Sequence, residues 1–280
     1  HHALLAHGRS VCAIRAAAKT PPRVGWAPVG TVCYPKHETP ACIDAAYRAT
    51  MSVSSKGMGM GTFNNTWFSD PALLGRYPED GLRLFDEHLP ACVRDADADL
   101  EVIHQPLDFY GVNIYRGQPV SVGPEGEPVV EQLPGDFPRT LIDWPVTPEA
   151  LRWGPRFFHD RYGLPIYITE NGLSNPDWIS VDGQCHDPQR IDFMSRYLSE
   201  FARAGADGVE LGGYFHWSVM DNFEWAEGYR HRFGLIHVDY ATQRRTLKDS
   251  AHWYCDVIES NGASLGSAWA GTTPLEPNPA

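Results

Sequence analysis

The fold is decided by Leu164-Pro165-Ile166-Tyr167-Ile168-Thr169-Glu170-Asn171-Gly172. The β-branched and aromatic residues predict a short strand, and the Asn-Gly pair predicts a turn directly after it. Glu170 would then stand at the C-terminal tip of that strand. Catalytic residues of a (β/α) barrel lie at such tips. The stretch therefore predicts a barrel strand that carries a candidate catalytic carboxylate, and a solvated surface Glu is the alternative.

Helix and strand patterns alternate on both sides of this strand. One helix followed by four strand–helix units predicts an α/β fold with a parallel sheet. That is the (β/α)8 TIM-barrel type, here about four β/α units, or half a barrel, plus the preceding helix. We expect residues 1–262 to form this half barrel and residues 263–280 to form a flexible tail. Helices are predicted at 2–18, 40–54, 79–89, 148–162, 192–206 and 248–260, strands at 23–34, 107–115, 164–170 and 211–219, a loop at 57–78 and a hairpin at 120–133.

Composition excludes several classes of partner. The chain has 280 residues and a net charge of −12 with acidic and basic residues mixed, which argues against nucleic acid or anionic lipid. No apolar run approaches the ~20 residues that span a bilayer, and no signal-peptide pattern stands at the start. The six scattered cysteines predict reduced, mostly buried thiols and a cytoplasmic location. No metal site and no organic cofactor is implied.

Polar and aromatic residues stand at the predicted strand ends. The strand at 107–115 ends with Asn113 and Tyr115, the next with Glu170 and the last with Trp217. An acidic and aromatic block, Asp221-Asn222-Phe223-Glu224-Trp225-Ala226-Glu227-Gly228-Tyr229, follows that last strand. Tips of parallel strands in one barrel converge on one rim. Carboxylates, a Tyr, an Asn and several Trp on one rim predict a sugar-binding site.

These motifs resemble those of glycoside hydrolase family 1, the retaining β-glucosidase family built on a (β/α)8 barrel. The match includes Tyr167 to Gly172, Gly213 to Tyr229 and Asp108 to Tyr115, and it continues through Arg232-Phe233-Gly234-Leu235, Val238-Asp239-Tyr240 and Lys248-Asp249-Ser250. It covers the whole chain apart from the tail. The resemblance implies a retaining β-glycosidase, in the first place a β-glucosidase, acting on a β-glucoside or oligosaccharide.

The resemblance also implies a role for each site residue. Glu170 would be the nucleophile that forms a covalent glycosyl-enzyme, and Tyr115 would hold its orientation. Asn113 would line the same rim. The other residues would bind substrate: Glu224 and Trp225 through glycone hydroxyls, Trp217 as a stacking floor with Phe233 nearby, and Trp144 as an aglycone wall. Core packing is the alternative for the three Trp residues and for Tyr115.

Glu224 bears on the kind of sugar. Its carboxylate would repel a phosphate dianion, so the resemblance favours an unphosphorylated glucoside, galactoside or fucoside. It does not separate these three, nor does it separate hydrolysis from glycosyl transfer, and it leaves the aglycone open.

One expected residue is missing from the sequence. In the family, the general acid/base Glu lies in an Asn-Glu-Pro triplet, and this sequence contains none. The first residue is His rather than Met, and residues 1–9 resemble the helix after that triplet. We therefore expect a piece of a longer enzyme, or a chain that associates with an N-terminal half-barrel chain or with a second copy of itself. A catalytically silent, sugar-binding or self-associating half barrel is the alternative function.

Overall fold

A computed structural model describes residues 1–55 and 64–265. These residues group into two compact units: unit 1 comprises residues 1–137, 147–171 and 200–215, and unit 2 comprises residues 138–146, 172–199 and those from 216 onward. The predicted tail lies outside the described residues from position 266.

The helices are α1 His2–Ala17, α2 Pro40–Met51, α3 Asn65–Leu74, α4 Glu79–Leu84, α5 Ala91–Arg94, α6 Asp97–Ile103, α7 Ala150–Tyr162, α8 Pro188–Ala206 and α9 Asp249–Glu259. The strands are β1 Gly25–Trp26, β2 Val32–Pro35, β3 Phe109–Asn113, β4 Gly117–Val122, β5 Pro128–Val130, β6 Ile166–Asn171, β7 Leu211–His216, β8 Ile236–Val238 and β9 Arg245–Leu247.

The central sheet has the order β1-β3-β6-β7. Strand β3 pairs in parallel with β1 and with β6. These are the four strands that the sequence predicts, and β1 and β7 form the two edges of this described sheet. The architecture is that of half a (β/α)8 barrel, with an open sheet of four strands.

Burial alternates along β6 and shows which of its side chains face the core of unit 1. Ile166 and Ile168 are fully buried, whereas Tyr167, Thr169 and Glu170 are partly exposed. On the neighbouring strand, Tyr110 is also buried, and its ring stacks on Phe158 and Tyr162 of α7 with centroid separations of 5.0 and 5.2 Å. Such aromatic packing contributes beyond simple area burial. One face of the sheet thereby packs against helix α7. This packing holds the strands, and with them the residues at the strand ends, in place.

Several predicted elements were wrong in detail. The predicted strand at 23–34 is two short strands in different sheets, because β2 pairs with β4 in a separate three-stranded sheet. The predicted loop at 57–78 contains helix α3, while residues 56–63 lie outside the described part. The predicted helix at 79–89 is α4 followed by a 3-10 turn. The predicted hairpin at 120–133 is confirmed by antiparallel β4 and β5.

Helix α3 forms despite its Asn and Pro content because tertiary contacts outweigh local propensity. The buried side chain of Asn65 donates to the carbonyls of Thr31 and Thr50, both at 2.7 Å. The buried carboxylate of Asp70 accepts from Arg161 Nε at 2.9 Å and from the Tyr162 hydroxyl at 2.8 Å. These partners lie far away in sequence, so the local pattern does not contain them.

The six cysteines are all free thiols. The prediction that they are mostly buried was wrong, since only Cys42 and Cys185 are buried while Cys12 and Cys255 are exposed. None of the helices described is both long enough and apolar enough to span a membrane.

Candidate active site

The first part of the site lies in unit 1, at the ends of β3 and β6. The hydroxyl of Tyr115 donates a hydrogen bond of 2.7 Å to Oε2 of Glu170. Glu170 is half-buried. A hydrogen bond to a carboxylate limits how the group can rotate. The structure thus brings together the two residues that the sequence analysis names as catalytic.

Asn113 is the Cα partner of Glu170 across the two strands. The register shifts between Val112 and Asn113, and this irregularity sets Asn113 beside the carboxylate-bearing residue. The side-chain oxygen of Asn113 accepts a hydrogen bond of 2.6 Å from the Thr169 hydroxyl. Irregularities of this kind often redirect side chains near active sites. Asn113 and Glu170 therefore stand beside each other at the ends of β3 and β6.

Asn171, to which the sequence assigns no role, holds the ends of these strands together. Its side chain is fully buried, donates to the Ile114 carbonyl at 2.8 Å and accepts from the Tyr214 hydroxyl at 2.8 Å. The amide of Ile114 in turn donates to the Glu170 carbonyl at 3.0 Å. These contacts tie the end of β6 to the segment after β3 and to β7. An Asn directly after the predicted catalytic Glu was the signal that could have indicated this.

The remaining predicted residues lie in unit 2. Trp217 follows β7, is half-buried and precedes a cis peptide bond. Its carbonyl oxygen lies so close to Gly172 that a Cβ there would stand 1.9 Å away. Gly172 is thus required by a close approach of two backbone segments. The predicted turn directly after the strand is not formed, because residues 172–174 are irregular backbone. The segment after the predicted nucleophile and the segment with the predicted stacking Trp are in direct contact.

Glu224 and Trp225 occupy a tight turn in unit 2. The amide of Glu224 donates to the Gly228 carbonyl at 2.7 Å, and the amide of Gly228 donates to the Trp225 carbonyl at 3.2 Å. Trp225 has a positive φ of 41°, which is uncommon for a bulky residue. Its side chain is 78% exposed, so the core-packing alternative is wrong for Trp225. Phe233 is buried, and its carbonyl accepts from the Ser218 amide at 3.1 Å.

Trp144 lies on a small loop of unit 2 that closes on itself. Its amide donates to Thr140 Oγ1 at 3.2 Å, and the Thr140 amide donates to the Trp144 carbonyl at 2.8 Å. Buried Ser174 holds this loop from outside, because it accepts from the Leu141 amide at 3.1 Å and from the Ile142 amide at 2.9 Å. Trp144 itself is half-buried.

A buried ion network lies in unit 2 around the acidic and aromatic block. It joins three carboxylates to three cationic side chains: Asp177, Asp187, Asp221, Arg190, Arg232 and Lys248. Burial alone would raise the pKa of Asp177, but Arg190 and Lys248 outweigh it and hold that pKa below its ordinary value. Burial dominates at Asp187 and raises its pKa. The sequence does not reveal this network, since only the fold brings its members together.

His216, at the end of β7, carries no charge at neutral pH. Burial of the ring and the nearby Arg190 lower its pKa to about 3. The ring contacts the Phe233 carbonyl through Nε2 at 3.3 Å. Within the ranges 1–55 and 64–265, no three His, Cys, Asp or Glu side chains cluster in a way that could hold a metal ion.

Comparison with known proteins assigns the class. Residues 1–263 match the sequence profile of glycosyl hydrolase family 1, and the chain belongs to that family. It is 42% identical over 205 residues to β-glucosidase A of Thermotoga maritima, covering 72% of this chain and 45% of that protein. It is 36% identical to a bifunctional β-D-glucosidase/β-D-fucosidase of Bifidobacterium breve, covering 94% of this chain and 57% of that protein.

A solved structure shares the fold. The β-glucosidase from Thermotoga maritima in complex with glucoimidazole has a TM-score of 0.75 and 36% identity, with 92% of this chain and 56% of that chain covered. The chain thus spans about half the length of the curated relatives that it matches.

Proposed function

We propose that this chain provides the nucleophile half of a retaining β-glycosidase, in the first place a β-glucosidase. The observation that carries the proposal is the 2.7 Å hydrogen bond between Tyr115 and Glu170 at adjacent strand ends, in a chain that belongs to glycosyl hydrolase family 1. Glu170 attacks the anomeric carbon, and the bond between that carbon and the leaving oxygen breaks with its electron pair going to the oxygen. Water then releases the sugar from the covalent glycosyl-enzyme.

The proposal assigns substrate contacts to unit 2. Glu224 and Trp225 bind hydroxyls of the glycone, Trp217 supplies a stacking surface, and Trp144 borders the aglycone. Exposure of the Trp225 side chain supports this assignment. The carboxylate of Glu224 favours an unphosphorylated sugar. The substrate class is supported by relatives named as β-glucosidase and as bifunctional β-D-glucosidase/β-D-fucosidase.

The general acid/base lies outside these 280 residues in this proposal. A retaining mechanism needs a second carboxyl group ~5–5.5 Å from the nucleophile, and the family's Asn-Glu-Pro triplet is absent from the sequence. An N-terminal half-barrel chain would supply the group, whereas a second copy of this chain has the same sequence and lacks the triplet as well. The six free thiols support a cytoplasmic location for the protein.

Covalent trapping tests the nucleophile. A 2-deoxy-2-fluoro-β-glucoside with a dinitrophenyl leaving group needs no acid, because dinitrophenolate departs unprotonated. We expect intact mass to increase by one fluoroglucosyl group, and peptide mapping to place that group on Glu170. Glu170→Gln should give no adduct, while Glu210→Gln, a change at a Glu outside the site, should react like the wild type. A folded wild-type chain without an adduct would contradict the proposal.

Self-association is a second proposal, and an exposed apolar surface favours it. In unit 2, the side chains of Val219, Met220, Phe223, Trp225 and Tyr229 are each 42–78% exposed. Exposed apolar patches of this kind mark interaction sites. Sedimentation equilibrium on the purified chain should then detect a dimer, and Phe223→Ser with Val219→Ser should weaken it. A monomer at all concentrations would rule this out.

A further inference from the structure

The buried ion network is centred on Lys248, the residue before α9. Its side chain is fully buried, and Nζ donates to Asp177 Oδ2 at 2.5 Å and to Asp221 Oδ1 at 2.8 Å. Arg190 bonds both Asp177 and Asp187, the latter through Nε at 2.8 Å. Three carboxylates and three cations leave the network with no formal net charge. Each buried charge therefore has a partner, which is the condition for a tolerable desolvation cost.

Asp221 connects this network to the segment with the predicted sugar ligands. Its carboxylate accepts from the amide of Gly234 at 3.0 Å and from the amide of Val238 at 3.3 Å. It also accepts from Arg232 Nη1 at 2.6 Å. One buried carboxylate thus closes residues 221–238 into a loop, which we call the ligand loop. Glu224, Trp225 and Phe233 all lie on it.

The apolar tips of the ligand loop do not fix its shape by burial. Phe223, Trp225 and Tyr229 are 54%, 78% and 56% exposed. The loop is held by its buried residues, among them Phe233 and Val238, by backbone hydrogen bonds and by its attachment to Asp221. Without Lys248, Asp177 and Asp221 lose the cation between them. Their repulsion, or protonation of one of them, would weaken the bonds from Asp221 to the amides of the ligand loop.

We propose that Lys248 is a positioning residue for the glycone site. It holds Asp221, and through Asp221 it holds the ligand loop in the shape that presents Glu224 and Trp225 to the sugar. This inference rests on the proposed function for its sugar contacts, but its structural part can be tested without any substrate.

Hydrogen exchange tests that structural part. In Lys248→Met, the amides of Gly234 and Val238 should exchange at least about tenfold faster than in the wild type, whereas the amides of Ile166 and Ile168 in β6 should not change. Lys36→Met is the matched control, because Lys36 pairs with Glu131 at the surface at 3.2 Å. Wild-type exchange of the ligand loop in folded Lys248→Met would overturn the proposal.

A charge-balanced variant covers the case in which Lys248→Met does not fold. The double variant Lys248→Met with Asp177→Asn removes one charge of each sign, so the network stays neutral. It still lacks the bond from Lys248 to Asp221, so the exchange of Gly234 and Val238 should again be faster. If this folded variant exchanges like the wild type, Lys248 does not position the ligand loop.

Trapping kinetics test the sugar contacts separately. In Lys248→Met, the concentration of fluoroglucoside that gives half-maximal labelling should rise about tenfold. The rate at saturation, which depends on Glu170 and Tyr115, should change less than threefold. A general loss of structure would lower the fraction of labelled protein instead, and that result would contradict positioning. If the wild type takes no label, the proposed function fails, and the exchange rates alone decide the role of Lys248.

Discussion

At the scale of single residues, the Tyr115 hydroxyl and the Glu170 carboxylate form the contact closest to the proposed chemistry. The resemblance predicted this pair, and the 2.7 Å distance confirms that the two side chains meet. Asn171 and Gly172 were present in the same motif, but their contacts with Ile114, Tyr214 and Trp217 depend on neighbouring segments. A sequence shows which residue types follow the strand, whereas only the fold shows which atoms they meet.

Tyr115→Phe should slow covalent trapping on Glu170 by about 10- to 100-fold. The substitution removes a hydrogen bond to a charged group, and such bonds contribute roughly 1.5–3 kcal/mol, at ~1.4 kcal/mol for each factor of ten. The rate of mass increase at a fixed concentration of fluoroglucoside measures the effect. Tyr77→Phe is the control, since the Tyr77 hydroxyl bonds His1 Nδ1 at 2.9 Å and has no part in the proposed site. Equal rates for both variants would show that Tyr115 does not support the nucleophile.

At the scale of elements, the predictions agree with the structure where local periodicity is strong. They fail where an element depends on long-range contacts. Strand β6 and helices α8 and α9 agree with their predicted positions to within a few residues. Helix α3 was missed because Asn65 and Asp70 find their partners far along the chain. The single strand predicted at 23–34 failed for a related reason. Nothing in its apolar pattern says that its two halves pair with different strands, β3 and β4.

Gly172→Ala should destabilise the protein by about 1–3 kcal/mol, the usual cost of overpacking. The new Cβ would meet the Trp217 carbonyl at 1.9 Å, and a backbone atom cannot move aside as a flexible side chain can. Urea unfolding measures the change. Gly135→Ala is the matched control, because no atom lies within 4 Å of a Cβ there. Equal midpoints for the two variants would mean that the backbone at Gly172 and at Trp217 can separate at little cost.

His186 links the segment before α8 to the start of α9, and this link should weaken at alkaline pH. Hydrogen bonds to Asp182 and Asp249 raise the pKa of His186 to about 9, above the ordinary value of about 6.5. The stabilisation that comes from this raised pKa is complete below pH ~6.5 and is lost as the pH rises through about 9. The difference in Tm between wild type and His186→Gln should therefore shrink from pH 6 to pH 10. A difference for His186→Gln that stays constant over this pH range would refute the link.

At the scale of the whole molecule, the nucleophile and the general acid are proposed to come from different chains. The cleavage rate of this chain alone should therefore depend strongly on the leaving group. Glu170 is present in this chain, but the acid that protonates the leaving oxygen is proposed to come from elsewhere. General acid catalysis contributes typically 10²–10⁴-fold, and it matters most when the departing group is a poor one. The chain alone should therefore release dinitrophenolate from its β-glucoside while cleaving an alkyl β-glucoside at least about 100-fold more slowly than a complete family member does.

Addition of a partner that contains the acid should restore cleavage of the alkyl glucoside and have little effect on release of dinitrophenolate. The partner would be the part of Thermotoga maritima β-glucosidase A that this chain does not match, produced separately. If it supplies the acid, cleavage of the alkyl glucoside should rise much more than release of dinitrophenolate, and Glu→Gln at its Asn-Glu-Pro triplet should abolish the rise. Efficient alkyl glucoside cleavage by the chain alone, lost in Glu170→Gln, would instead place the acid within these 280 residues. The two substrates have the same glycone and are attacked by the same nucleophile. The ratio of their cleavage rates therefore measures only the effect of protonating the leaving group, which the proposal assigns to another chain.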